Sequence, residues 1–200
     1  VTTMKLVEKP EIPADCSLLV IAGPRGDYLP QEVEVIRTYV TGGGRLMLLL
    51  DSGVEVPELA KLLAEWNVVV GNDLVIELGI QLEGAGPGMT IVRSYGSSPI
   101  VEPLRDRMTL FPLARSFAVT KGPKTGVIAE SLCETTADSF ASADFSPRTG
   151  EIKYRPDKDT KGPLAVAVSG TVRGEGNTKS EGRFVTLGTS SLAANNYLNL

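Results

Sequence analysis

The sequence predicts an α/β fold in which helices cover both faces of a mostly parallel sheet, and residues 16–51 carry most of that prediction. Residues 17–21 and 45–50 are almost entirely aliphatic, which is typical of parallel strands buried on both faces. Between them, aliphatic residues fall on one face of a predicted helix, Pro30–Thr41, at Val33, Ile36 and Val40. A strand, helix and strand in this order predict a right-handed βαβ unit.

The ends of this predicted helix have their own signals. Pro30 suits the first helical turn, and Gly42, Gly43 and Gly44 supply the backbone freedom that ends a helix. Glycine-rich segments also bind phosphate, but a phosphate loop follows a strand and opens a helix. These glycines follow a helix and precede a strand, so we interpret them as a helix stop.

Aliphatic and β-branched runs predict the remaining strands, at residues 1–8, 68–70, 74–76, 89–95, 109–119, 126–129, 163–172 and 183–187. Helical spacing predicts further helices at residues 56–66, 99–108 and from Leu192 onward. Residues 84–88 and 173–182 are rich in glycine and predict a loop and a hairpin-like link. Residues 135–162 are poor in aliphatics, so we expect an irregular excursion that contributes little to the core.

Length and composition predict a single α/β domain over residues 1–200. A chain of this length can bury about 70% of its unfolded surface. The formal net charge is −4, and no stretch concentrates lysine or arginine, so a nucleic-acid partner is not expected. The first residues do not resemble a signal peptide, and no apolar run is long enough to span a bilayer. It begins without Met and stops inside a predicted helix, as expected for an excised soluble region with its membrane segments elsewhere.

The sequence contains no histidine, the usual general base of serine and cysteine hydrolases and the commonest transition-metal ligand. Two cysteines, Cys16 and Cys133, are too few for a zinc site or a disulfide framework. Neither lies at a strand-to-helix elbow, and Ser190, which does, has no histidine to activate it. We therefore expect no enzymatic activity, no metal and no cofactor.

Blocks of residues in a fixed order resemble the ABC-type transport auxiliary family, which includes the gliding-motility auxiliary component. The blocks lie at residues 18–24, 39–51, 62–73, 109–116 and 188–195. The resemblance implies a flavodoxin-like or class I glutamine amidotransferase-like three-layer sheet. It also implies an extracytoplasmic (periplasmic) domain, anchored in the cytoplasmic membrane beside an ABC permease and ATPase. The family's last block usually carries acidic residues where this chain has Thr189 and Ser191, so a cation site there is not expected.

A candidate binding site lies where predicted parallel strands end, because ligands of open α/β sheets bind at the carboxyl ends of strands. We call this set of loops the crest; its candidate ligand- or partner-binding residues are Gly23, Pro24, Arg25, Asp51, Ser52, Thr189, Ser190 and Asn195. A small anionic or hydroxyl-rich ligand would suit these groups. The alternative is that Asp51, Ser52 and Ser190 only cap turns and a helix.

The leading functional hypothesis is a noncatalytic extracytoplasmic accessory domain of an ABC transport system, binding a partner subunit or an envelope ligand. The first alternative is a small-molecule-binding domain, for instance for a sugar or glycan, of amidotransferase-like fold with vestigial catalysis. The second is a scaffold that forms homo-oligomers through edge strands at residues 1–8 and 109–119.

Overall fold

The structure is rich in short strands. A computed structural model describes residues 1–79, 86–121, 126–144, 153–174 and 180–195. The first strands are Leu19–Ala22 (β1), Arg45–Leu49 (β2), Val68–Val70 (β3), Leu74–Ile76 (β4), Met89–Val92 (β5), Ser94–Tyr95 (β6) and Thr109–Pro112 (β7). The others are Phe117–Val119 (β8), Val127–Glu134 (β9), Phe140–Ser142 (β10), Thr160–Lys161 (β11), Ala165–Arg173 (β12) and Glu181–Leu187 (β13). The α-helices in the described ranges are Pro30–Thr41 (α1) and Pro57–Glu65 (α2).

The predicted βαβ unit is confirmed. Strands β1 and β2 are parallel, and α1 has the predicted bounds. At its start the Glu32 carboxylate accepts a hydrogen bond from the Leu29 N–H at 2.8 Å, which satisfies a donor that the helix leaves free. At its end Gly43 has a φ of +102°, a conformation that glycine adopts without strain. The helix-stop interpretation of the three glycines is therefore confirmed.

The main sheet joins a parallel half to an antiparallel half. Its strands lie in the order β1-β2-β13-β12-β8-β3, and β9 pairs with β12 and with β6. Strand β13 runs parallel to β2 and antiparallel to β12, so it is the boundary between the halves. Two small antiparallel sheets, β11-β10-β4 and β5-β7, accompany it.

The prediction of a mostly parallel, three-layer, flavodoxin-like or amidotransferase-like sheet is wrong. The fold is mostly β, and most strand pairs are antiparallel. Of the helices predicted for a second layer, residues 99–108 form only a 3-10 turn, Glu102–Leu104. In place of the helix predicted from Leu192, a 3-10 turn spans Ser191–Ala193 and ends at Ala194, whose backbone is extended; residues 196–200 lie outside the described residues. Pro103 explains the first failure, since it lacks the N–H that an α-helix needs in its interior.

Helices α1 and α2 pack on one face of the main sheet, and this layer forms the larger part of the core. Its centre is Trp66, whose ring stacks on Phe184 of β13 with centroids 5.2 Å apart. A second apolar cluster lies on the opposite face, where β9 and β12 contact the small sheets; it includes Leu132, Val166 and Phe111. That face is only partly covered, because no helix packs on it in the described ranges.

Other local predictions also need correction. Residues 1–8 form no strand: residues 1–5 are irregular and residues 6–8 form a turn, although Leu6 is buried in the core. Residues 109–119 divide into β7 and β8, and β8 is an interior strand between β12 and β3. Residues 89–95 divide into β5 and β6.

The expected excursion at residues 135–162 is partly structured. It contains β10 and β11, and Phe140 and Ala141 are buried, so the expectation of little core contribution is wrong. Residues 145–152 lie outside the described part of the chain, as do residues 84–85 of the predicted loop and 175–179 of the predicted link.

Candidate functional site

Asp51 and Ser190 form the centre of the crest. The Ser190 N–H donates to one carboxylate oxygen of Asp51 at 2.5 Å, and the Ser190 hydroxyl donates to the other at 2.8 Å. Gly23 lies against this pair with a φ of +58°, and a Cβ there would be 2.7 Å from the Ser190 hydroxyl oxygen. The structure thus brings together three predicted site residues from the ends of β1, β2 and β13, and joins two of them directly.

The neighbouring crest groups mostly bind the protein itself. The Ser52 hydroxyl donates to the Leu113 carbonyl at 2.8 Å. Thr189 is buried, and its hydroxyl accepts from the Ser191 N–H at 3.0 Å. Asp27, in the loop after β1, caps α2 by accepting from the Glu58 N–H at 2.7 Å. These contacts favour the capping alternative for the acidic and hydroxyl groups.

The remaining predicted crest residues differ in exposure. Arg25 and Asn195 are exposed, and Pro24 is half-buried. Within the described residues, neither Arg25 nor Asn195 has a side-chain hydrogen bond or ion pair. These two side chains are therefore the crest groups that remain available to a ligand.

Arg115 is a buried charge close to the crest that the sequence analysis missed. Its side chain is 2% exposed, and its guanidinium donates to the Val54 carbonyl at 2.6 Å. Burial lowers the Arg115 pKa from its ordinary value, and the charges of Asp73 and Asp51 partly oppose that shift. The guanidinium borders a small cavity of about 190 Å³. With two carboxylates nearby, this arginine acts as their counter-charge.

A larger apolar groove lies on the partly covered face of the main sheet. It has a volume of about 750 Å³ and runs between that face and the segment from Tyr95 to Phe111. Strand register places side chains in rows across this face, because neighbours in register point the same way. One row is Val20, Met47, Val185, Ser169 and Glu130, and the next is Arg45, Arg183, Thr171 and Ile128.

Several apolar side chains in and beside the groove are exposed. Ile128 is 67% exposed, Ile100 55%, and Leu18 and Val20 each 49%. Exposed apolar side chains around a groove are typical of a binding surface. The groove was not predicted, because residues 99–108 were expected to form a helix and instead form irregular chain with one 3-10 turn. Strand β1 gave no warning, because its residues are all apolar although every second one is exposed in the structure.

The candidate nucleophiles are poorly placed for catalysis. Cys133 is buried, and burial together with the charge of Glu134 raises the pKa of its thiol to about 12. The Ser190 hydroxyl donates its proton to a carboxylate that also accepts from the Ser190 backbone. Within the described residues, no group of three or more potential ligands could hold a metal ion.

The comparisons with known proteins address fold and family. A solved structure, the mmIFT52 N-terminal domain, is similar with a TM-score of 0.61 and 18% identity, over 92% of this chain and 70% of that one. At this identity the likeness shows a shared fold alone. No curated protein matches the sequence. None of the helices in the described ranges is long and apolar enough to cross a membrane.

The family model of the ABC-type uncharacterized transport system matches residues 1–199. This match covers nearly the whole chain and confirms the resemblance carried by the ordered sequence blocks. The chain belongs to this ABC-type transport family, as an auxiliary component of such a system.

Proposed function

We propose that the chain is a noncatalytic, extracytoplasmic accessory domain that works beside an ABC permease and ATPase and recognises a molecule or a subunit through its sheet. The groove is the observation that carries this proposal. It offers a large apolar surface, whereas Cys133 is buried and the Ser190 hydroxyl is hydrogen-bonded to Asp51. Such a surface supports binding rather than catalysis.

The accessory role has a direct test in the native host. The full-length protein, tagged and purified from membranes in mild detergent, should bring down the permease and ATPase of one transport system. With Cys16 replaced by alanine, a cysteine in place of exposed Arg25 should react with a membrane-impermeant maleimide in intact cells whose outer membrane has been made permeable. Labelling that requires lysis of the cells would contradict the periplasmic location.

The role of the groove needs a separate test. A photo-crosslinking amino acid at Ile128, which is 67% exposed on β9, should give a defined adduct in native membranes. The matched control is the same amino acid at Val69, which is 47% exposed on β3 and outside the groove. Adducts at both positions with equal yield, or at neither, would contradict a recognition role for the groove.

A small-molecule function at the crest is the second candidate, favoured by the exposed side chains of Arg25 and Asn195 beside the Asp51–Ser190 pair. A sugar or a small anion would suit these groups. Backbone amide signals of Gly23, Asp51 and Ser190 should shift in NMR spectra when such a ligand is added. If they do not move across a panel of sugars, nucleotides and phosphates, the crest has only a structural role.

A further inference from the structure

Two arginines lie side by side in the groove. Arg45 of β2 and Arg183 of β13 are register partners on adjacent parallel strands, so both side chains point to the same face. Like charges directly opposite one another destabilise a sheet. Both residues are exposed, and neither has an ion pair or side-chain hydrogen bond with another described residue. No described residue therefore supplies a counter-charge to this pair.

Of the acidic residues that line the same groove, Glu181 has a cationic partner, and Glu130 on β9 is separated from Arg183 by β12. Glu181 pairs with Arg173 at 2.9 Å, and Glu130 accepts a hydrogen bond from the Ser169 hydroxyl at 3.4 Å. Both guanidinium groups are therefore free to pair with the negative charge of a bound molecule. Arginine suits this role because its planar fork binds a carboxylate or a phosphate through two hydrogen bonds.

The surface next to the arginine pair is apolar. Met47 and Val185 form the next row toward the carboxyl ends of the same strands, with Val20 beside them on β1. Ile100 and Phe111 line the groove from the segment that covers it. A molecule seated here would meet charge at one end and hydrocarbon along the rest of its length.

The size of the groove favours a single small amphiphile over a partner helix. Its volume of about 750 Å³ lies within the usual range for small-molecule sites, about 300–1,000 Å³. A helix is about 10 Å thick with its side chains, so it would contact the groove with one face only and leave much of it unfilled. The groove is also separate from the crest, because the arginines lie near the amino ends of β2 and β13 and the crest lies at their carboxyl ends.

We propose that the groove binds an anionic amphiphile, with its carboxylate or phosphate head on Arg45 and Arg183 and its hydrocarbon tail along Met47 and Val185. This inference rests on the proposed recognition role of the groove and names the class of molecule that it recognises. Both fatty acids and phospholipids present this chemistry, and the head group distinguishes them.

The test is calorimetric titration of the purified 200-residue chain with dodecyl ligands below their micelle concentrations. Dodecanoate and dodecyl phosphate supply the two anionic heads, while dodecyltrimethylammonium and dodecanol supply the same tail with a cationic or neutral head. We expect at least one anion to bind at least about tenfold more tightly than the cationic and neutral ligands. Preference for either anion supports the proposal and identifies the head group.

Variants assign the binding to the arginines. The double variant R45Q/R183Q should weaken anion binding by about tenfold or more, while R45K/R183K, which keeps the charge, should weaken it less. The matched control, K121Q/K161Q, also removes two positive charges from exposed positions but lies outside the groove, and it should bind like the wild type. Circular dichroism checks that all three variants fold.

Three results would overturn the proposal. The first is equal affinity for ligands with anionic and cationic heads, and the second is unchanged anion binding in R45Q/R183Q. The third is that neither anionic ligand binds, whereas an acidic amphipathic helical peptide does. These results do not depend on the transport complex. If the anions bind as expected but the permease and ATPase do not co-purify, the groove site is supported and the accessory role is contradicted. If the permease and ATPase co-purify but the anions do not bind, the accessory role is supported and the groove site is contradicted.

Discussion

Asp51 and Ser190, 139 residues apart in the sequence, are joined by two hydrogen bonds between one carboxylate and the N–H and hydroxyl of one serine. The pair ties the end of β2 to the end of β13. The S190A variant removes the hydroxyl donor and leaves one carboxylate oxygen without it. We expect a loss of about 1–3 kcal/mol in the free energy of unfolding, measured by urea denaturation.

The control for this variant lies one residue away. The Ser191 hydroxyl has no hydrogen bond with the described residues, so S191A should change the free energy of unfolding by less than about 0.5 kcal/mol. Equal losses in S190A and S191A would show that the hydroxyl contact with Asp51 contributes nothing to stability.

Asp159 should make the protein sensitive to acid. Its carboxylate accepts hydrogen bonds from the Arg155 guanidinium and backbone N–H, and these contacts lower the Asp159 pKa to about 2. In the unfolded chain the pKa is near 3.9. Since the folded state binds the proton less readily, this contribution is complete above about pH 4 and is lost as the pH falls toward about 2.

The measurement is the free energy of unfolding as a function of pH. Between about pH 4 and pH 2, the D159N variant should lose less stability than the wild type. The variant D106N, at an exposed aspartate without an ion pair among the described residues, should keep the wild-type slope. Superimposable slopes for D159N and the wild type would show that the Arg155 contact does not shift the Asp159 pKa.

Phe184 should be one of the most sensitive core positions. Its ring is buried and stacks on Trp66, the only tryptophan in the sequence. F184A leaves a cavity beneath α2, and we expect a loss of about 3–5 kcal/mol. Urea unfolding followed by Trp66 fluorescence measures this loss in the free energy of unfolding. V69A, which shortens a half-exposed side chain, should cost less than about 1 kcal/mol; a similar cost for both variants would contradict the central position of Phe184.

The two cysteines should react at very different rates. Cys133 is 4% exposed with a pKa of about 12, whereas Cys16 is half-buried. At about pH 8 only about one Cys133 in 10⁴ is a thiolate, the form that reacts. Iodoacetamide followed by peptide mass spectrometry should modify Cys16 at least about 100-fold faster. Concentrated urea should bring the two rates together, and rapid modification of Cys133 in the native protein would contradict its burial.

The sequence was most informative where local signals determine structure. Pro30 and Gly43 give α1 the bounds that were predicted, because each acts through its own backbone geometry. The meeting of Gly23, Asp51 and Ser190 also followed from a general rule, since the carboxyl ends of parallel neighbours share one edge. Whether the crest binds a ligand stays a prediction.

The remaining features depend on long-range pairing that the pattern does not specify. A buried aliphatic run such as β12 has the same composition in a parallel and an antiparallel sheet, so the antiparallel half was not predicted. Arg115 resembled a surface residue between two small neighbours, and only the tertiary structure shows that it is buried. The arginine pair in the groove depends on the register of β2 against β13, which are separated by more than 130 residues.

The position of β13 between β2 and β12 also has a consequence for biosynthesis. Strands β1 and β2 emerge early from the ribosome, but the neighbour that completes their hydrogen bonding emerges last among the strands described. Until then β2 presents an unpaired apolar edge, which is an aggregation hazard. The edge of β2 therefore stays open until β13 has been synthesised and has paired with it. Slow translation of the segment between them would lengthen the time during which other chains can pair with that edge.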